Sequence, residues 1–213
     1  MNDKRQALPG SEGEHQLQKQ FGSEKRALAF YNKQVLDQLA PLMQTFVEQQ
    51  QLFFIATSDK KGDCDCSYRA GDAGFITVID NKTVIYPEYR GNGVMASLGN
   101  ITENPHIGMV LIDFFVTQVG LRINGRAELI MADQLGSAFN HDEELIKRIK
   151  ENTIEDKTDC YVKVSVDEAY IHCSKHIPML KKMDKALHWG TDDQTLKGGD
   201  AFKVKNHPRP WMD

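Results

Sequence analysis

Apolar residues recur along the chain at two different intervals, and the change from one to the other divides it. After Ser23, the residues Ala27, Phe30, Tyr31, Val35, Leu36, Leu39, Leu42, Met43, Phe46 and Val47 follow at steps dominated by three and four, which lines one face of a helix. Ser23 is a capping residue type, and Pro41 kinks or divides the segment. Beyond it the apolar stretches shorten. Residues 52–57 run into the turn-rich 58–63, a strand entering a hairpin, and residues 75–79 and 83–86 flank the turn Asp80-Asn81-Lys82 as a second hairpin. Residues 107–114, 121–130, 160–166 and 169–173 read as further strands. Helices are expected at 95–102 and 142–150, the latter with acidic residues ahead of basic ones, as the helix dipole favours. Six or seven short strands with few crossover helices predict a mainly β protein, an antiparallel barrel or sandwich with peripheral helices.

The flanks differ from this centre. Residues 1–22 scatter Gly10, Gly13 and Gly22 among Gln, Glu and Lys and are expected to form an arm. Residues 185–213 are rich in Gly, Asp, Lys and Pro and read as a tail, with Trp189 and Trp211 either anchoring it or loose within it. That leaves 23–184 as one domain, consistent with a length of 213 residues. A composition 40% hydrophobic and 26% charged excludes wholesale disorder, and a net charge of -4 argues against a general nucleic-acid binder. The N-terminus lacks the apolar core of a signal peptide and no run approaches ~18 apolar residues, so a soluble cytoplasmic protein is expected. Four cysteines, two of them as Cys64-Asp65-Cys66, read as reduced thiols rather than a disulfide framework.

Candidate chemistry concentrates between residues 62 and 126, where Arg69, Arg90, Arg122 and Arg126 lie among many glycines and a single lysine, Lys82. Glycine lets backbone amides approach a ligand, and the guanidinium fork matches phosphate oxygens, so the block suggests a phosphorylated ligand. Tyr86-Pro-Glu-Tyr-Arg-Gly-Asn-Gly93 joins a strand to a helix with Ser97 in its first turn, a junction that aims free amides at one point. The same glycines also suit a plain turn with positive φ. It is neither a Walker loop nor a dinucleotide fingerprint. Arg122 and Arg126, four apart, share one face of a regular strand, where an anion or carboxylates must separate them or solvent must screen them. A rival grouping, Cys64, Cys66, His172, Cys173 and His176, offers zinc-compatible ligands, although Cys-x-Cys is tight and His172 and Cys173 point oppositely on a strand. The acids Asp63, Asp65 and Asp72 fit solvated turns or a cation site. No nucleophile elbow is present, and no acid or base is assigned; His172 and Lys175 end the last strand, in reach of a cleft or of solvent.

Several segments, taken in order, resemble the pyridoxamine 5'-phosphate oxidase-like, FMN-binding split-barrel family. They are Phe54-Ile-Ala-Thr-Ser-Asp-Lys-Lys-Gly62, Asp65-Cys-Ser-Tyr-Arg-Ala-Gly71, Gly74-Phe75, Tyr86-Pro-Glu-Tyr-Arg-Gly-Asn92, Asn100-Ile-Thr-Glu-Asn-Pro105 and Leu121-Arg-Ile-Asn-Gly-Arg-Ala127, covering about residues 45–175. The resemblance implies an antiparallel six-stranded split barrel that forms a homodimer with FMN in clefts at the interface. By motif, Arg69, Ala70 and Gly71 would run along the flavin or its ribityl chain, with Tyr86 and Pro87 beside it. Arg90, Gly91, Asn92, Gly93 and Ser97 would hold the phosphate, and Arg122 would reach the cleft from a later strand. The first arginine leads into Ala70-Gly71-Asp72 rather than a basic strand ending in lysine, and the tail ends Arg209-Pro-Trp-Met-Asp213 without an Arg-Leu pair. These departures point away from vitamin B6 oxidation and toward the broad branch of FMN-dependent enzymes acting on small molecules that are mostly undefined. The expected activity is FMN-dependent oxidoreduction; the alternative is a non-catalytic carrier or sensor holding flavin, haem or a deazaflavin in the same barrel.

Overall fold

In the computed structural model, which describes residues 8–186, 188, 191, 193, 195, 196 and 200–211, eight strands form one antiparallel sheet. They are β1 (Val35–Leu36), β2 (Leu52–Ser58), β3 (Cys64–Ala70), β4 (Thr77–Asp80), β5 (Thr83–Tyr89), β6 (His106–Ile112), β7 (Gly120–Met131) and β8 (Thr158–His172). The order across the sheet is β3-β2-β6-β7-β8-β5-β4, with β1 paired to β8. A mainly antiparallel β protein with peripheral helices is therefore correct in class. Eight strands stand where the sequence predicted six or seven and the resemblance implied six: β1 and β3 have no predicted counterpart, while two predicted strands merge into β8.

The longest strand explains two of the differences. One edge of β8 is paired with β7 from Cys160 to His172, while its other edge takes β5 as far as Ser165 and then β1 at Ala169 and Tyr170. Two expected strands thus run as one. The polar Asp167-Glu168, which looked like a break, lies where β7 shifts register between Asn124 and Gly125. A Cβ at Gly125 would collide with the carbonyl oxygen of Ser165, so this bulge requires glycine. The helical segment expected through residue 47 is divided, with a second helix starting at Pro41 as expected, and its first part ends at Gln34 because Val35 and Leu36 pair with the remaining edge of β8.

The chain therefore makes α1 (Glu12–Gln20), α2 (Glu24–Gln34) and α3 (Pro41–Gln49), the last with its proline in the first turn, where the missing N–H costs nothing. Helix α1 lies inside the expected arm and is fixed by a reciprocal cap, Glu14 N–H donating to Ser11 Oγ at 3.2 Å and Ser11 N–H to Glu14 Oε2 at 2.7 Å. Three further helices are α4 (Ala96–Glu103), α5 (Leu135–Ala138) and α6 (Glu143–Glu151), which Asp142 caps by accepting from Leu145 N–H at 3.0 Å. No described helix is long and apolar enough to cross a membrane.

Alternation along the strands builds two cores. Phe53, Ile55, Met109, Leu111, Ile123, Val162 and Val164 project to one side and pack with Leu39, Val47 and Ile101 from α4 and the α3 region. On the opposite side, Ile85, Ile130 and Tyr161 are covered by Leu135 of α5 and Ile149 of α6. Strand β5 and the Cys160–Val162 part of β8 are thereby buried on both faces, whereas β2 and β3 have one exposed face and β6 one that is half-buried beyond His106. After β8 the chain is exposed, tied back by Leu180 N–H donating to Phe114 O at 2.8 Å and by Lys182 Nζ to Gln51 Oε1 at 2.7 Å. Trp211 is exposed, and Trp189 lies outside the described residues.

Candidate functional site: a cleft between β3 and β5

Strands β3 and β5 are separated in the sheet by four others, yet their side chains meet. Register decides which ones. On β3 the residues Asp65, Ser67 and Arg69 lie opposite Thr57, Ile55 and Phe53, whose side chains are buried, and so face inward. Tyr86 and Glu88, two apart on β5, share the face of β5 turned toward them. Arg69 Nε donates to Glu88 Oε1 at 2.6 Å, with the two side chains only 18% and 9% exposed. Arg69 Nη1 also donates to Tyr68 O at 3.0 Å, which fixes the guanidinium. At the start of α4, Ser97 Oγ donates to Asp65 Oδ2 at 2.8 Å, and Ser67 Oγ donates to the same oxygen at 3.1 Å. The edge strand β3 and the next-to-edge strand β5 are thus joined here by side chains rather than by backbone pairing.

Between them opens a cleft of about 510 Å³. Its rim is the segment from Arg90 to Met95. Arg90 N–H donates to Lys157 O at 3.2 Å, and Asn92 Oδ1 accepts from Val94 N–H at 3.0 Å. Gly93 takes φ 80° and Met95 φ 56°, which turns the chain into α4. A Cβ at Gly91 or Gly93 would meet nothing within 4 Å, so this rim has free space beside its backbone. The cleft combines one fixed arginine, a second arginine at the rim, an open glycine-bearing turn and hydroxyls. Such a donor set suits a phosphate ester attached to a polar, planar group.

Burial sets the protonation of its floor. It raises the Glu88 carboxyl above its ordinary range, and the attraction of Arg69 offsets this only in part. The Tyr86 phenol is raised well above its usual value by burial, with the nearby Glu88 charge adding to the effect. Its hydroxyl is buried and makes no hydrogen bond among the described residues, while its ring packs edge-on against Phe53 at 5.0 Å. Cys160, opposite Glu88 on β8, is pushed up to about 11, chiefly by burial.

Of the residues assigned from motifs, Arg69, Ala70, Pro87, Arg90, Gly91, Asn92, Gly93 and Ser97 line this one cleft. Three lie elsewhere. Gly71 is beside the cleft wall, and a Cβ there would come within 2.5 Å of Phe75, so its small size serves core packing. Tyr86 is fully buried beneath the floor. Arg122 borders a separate cavity of about 540 Å³ between α1–α2 and β7–β8, and its Nε donates to His172 Nδ1 at 3.1 Å. His172 and Lys175 do not line the cleft either. Asp65, Ser67, Glu88 and Asp159 are among the further lining residues that had not been singled out for it. The alternation of β3 and β5 around Arg69 and Tyr86 is the signal that would have found the first three.

The other sequence candidates resolve simply. Arg122 and Arg126 share an exposed face, and the carboxylate of Glu168, opposite Asn124, stands between them in register. Cys64 and Cys66 lie on β3 and His172 on β8, strands that are not neighbours, and no group of three or more metal-ligating side chains occurs among the described residues. Asp65 is held by serine hydroxyls within the cleft rather than with Asp63 and Asp72.

A profile of the pyridoxamine 5'-phosphate oxidase family matches residues 39–173, a span containing β2 to β8 and the whole cleft. The chain belongs to the pyridoxamine 5'-phosphate oxidase family. Its fold is similar to that of HupZ from Group A Streptococcus, at 21% identity over 62% of this chain and 93% of that one, with a TM-score of 0.44. A protein of Lactobacillus delbrueckii named for pyridoxamine 5'-phosphate oxidase is 19% identical over 63% of this chain and 95% of its own, at a TM-score of 0.44. HutZ of Vibrio cholerae, called a heme storage protein, is 14% identical over 62% and 94%, at 0.39. Likeness at this level speaks for neither ligand nor activity. No curated protein sequence matches the chain.

Proposed function

We propose that this member of the pyridoxamine 5'-phosphate oxidase family is an FMN-dependent oxidoreductase acting on a small molecule. The observation that carries the reading is the convergence of Arg69 from β3 with Arg90, the Gly91–Gly93 turn and Ser97 from the β5–α4 junction around one cleft. Arg90, the turn amides and Ser97 would hold the phosphate. Ala70 and Pro87 would flank the ribityl chain and ring, and Arg69, anchored by Glu88, would present its remaining N–H edge to a ring carbonyl. Bound FMN supplies hydride or electron transfer; the chain supplies orientation and charge.

In this reading β2, β3 and β5–β8 are the six strands of a split barrel whose gap is the cleft, and the exposed face of β2, β3 and β6 packs on a second copy. Arg122 would then act across that homodimer interface rather than within one chain. A second reading, a carrier or sensor of flavin, haem or deazaflavin, draws on one specific observation: Asp65 and Glu88 are both tied up in hydrogen bonds.

The test is a visible spectrum of the purified protein, followed by denaturation and identification of any released chromophore. FMN near one per chain, reduced by NADH or NADPH and reoxidised by an acceptor, supports the oxidoreductase. Stoichiometric flavin without turnover favours the carrier. A colourless protein that also fails to bind added FMN defeats the FMN assignment.

A further inference from the structure

We propose that binding of FMN in this cleft is coupled to the uptake of one proton by Glu88. The inference rests on the FMN reading above and concerns how the chain accommodates the charge of that ligand.

The lining carries two cationic side chains, Arg69 and Arg90, against three carboxylates, Asp65, Glu88 and Asp159. Counted formally, the cleft is negative by one before any ligand enters. A phosphate monoester adds roughly -1.5 to -2 at neutral pH, and in a partly desolvated cleft that repulsion is screened poorly. A proton must therefore enter with the ligand, or the affinity must suffer.

Geometry selects the group that takes it. Asp65 already accepts from two serine hydroxyls, at 2.8 and 3.1 Å. Asp159 is exposed and solvated. Glu88 is nearly buried, and its charge is compensated by one partner, the Nε of Arg69 at 2.6 Å. The groups facing it from the packed elements are Arg69 on β3, Tyr86 on its own strand and Cys160 opposite it on β8. Burial keeps Tyr86 and Cys160 protonated and neutral, so neither relieves nor replaces the carboxylate charge. Once a phosphate dianion sits at Arg90 in the same cleft and Arg69 also donates to a ring carbonyl, Glu88 is a buried carboxylate facing added negative charge with no more counter-charge than before. Protonation from solvent removes that cost, and the neutral acid can then donate a hydrogen bond into the cleft. Burial has already raised this carboxyl above its ordinary value.

The experiment is titration of the full-length protein with FMN, followed by flavin fluorescence between pH 7 and 9, for the natural protein and for Glu88→Gln. Glutamine can still accept from Arg69 but carries no charge to neutralise. The natural protein should lose affinity as pH rises, by up to about tenfold per pH unit, the limit for one linked proton. Glu88→Gln should be nearly flat and bind more tightly at the alkaline end. Calorimetry of the natural protein in buffers of different ionisation enthalpy should count about one proton taken up per FMN, so the idea stays testable if the variant fails to fold. FMN binding with no proton uptake, or with the same pH slope in both proteins, overturns this inference and leaves the FMN assignment intact. Absence of FMN binding at every pH removes both.

Discussion

The two halves of the sheet are finished differently. Around β5 and β8 both faces are covered by the chain itself: Val84, Tyr86, Val162 and Val164 on one side, and Ile85 and Tyr161 beneath α5 and α6 on the other. Around β2, β3 and β6 the inner face is equally closed, but the outer one shows Phe54 and Tyr68 at 38% and 53% exposure, ring against ring at 5.7 Å. The difference is that one half is a completed core while the other presents apolar aromatic surface left exposed among the described residues. The cleft lies at the seam between them, where side chains and not backbone pairing hold β3 to β5. A ligand entering there meets rigid strands on one wall and an edge strand on the other.

This contrast can be broken most forcefully in the sealed half. Tyr161→Ala should cost on the order of 3–5 kcal/mol, the range for truncating a buried aromatic, whereas Phe54→Ala, compared at a dilution where both proteins are monomeric, should stay within about 0.5 kcal/mol of the natural protein. Urea unfolding of both variants checks this, and equal losses would mean the two halves are not distinct. At the seam, Arg69→Ala combined with Arg90→Ala should weaken FMN binding by about 100-fold, taking roughly 1.5 kcal/mol for each charge-assisted hydrogen bond lost. Unchanged affinity in the folded double variant would remove the site assignment.

On the open half, Phe54→Asp should convert a dimer into a monomer in sedimentation and lower the melting temperature only by the stabilisation that association had supplied. A dimer that survives the change would place the subunit contact elsewhere. The smallest effect is chemical. Cys160, buried and with its thiol pushed up to about 11, should resist iodoacetamide at mildly alkaline pH, while the exposed Cys64, Cys66 and Cys173 react. The same shift has a sign for stability. Above an ordinary thiol value of 9.0 the unfolded chain releases this proton before the folded one does, so stability is lost as pH rises from about 9 toward 11. Cys160→Ala should flatten that slope in pH-dependent urea melts.

Much of the secondary structure was legible because its signals are local. The capping Asp142 ahead of α6, the Asp80-Asn81-Lys82 turn between β4 and β5, and the start of α4 after Gly93 all follow from preferences of a few neighbouring residues. Helix α1 was legible too, through Ser11-x-x-Glu14, although the surrounding glycines drew attention to an arm. Strand β3 was not: Cys64-Asp-Cys-Ser-Tyr-Arg-Ala70 has no apolar alternation, since its inward face lines a polar cleft rather than a core. The motif assignments behaved alike. Those contiguous in sequence, Arg90 through Gly93 with Ser97, arrive together, while Arg122 arrives on another face.

By itself the amino-acid order determined the antiparallel β class, most strands and helices, and a glycine- and arginine-bearing loop suited to a phosphate. Turn chemistry, capping and apolar period act over fewer than about ten residues and need no partner. Tertiary structure alone decided that β8 runs unbroken between β7, β5 and β1, that Val35 and Leu36 leave the helix, and that Arg69 meets Glu88 across the sheet. Each of these depends on which strand edge is free and how far the sheet curls. Such non-local geometry has no trace in the local pattern, and it also makes Glu88 a buried acid rather than one more surface charge.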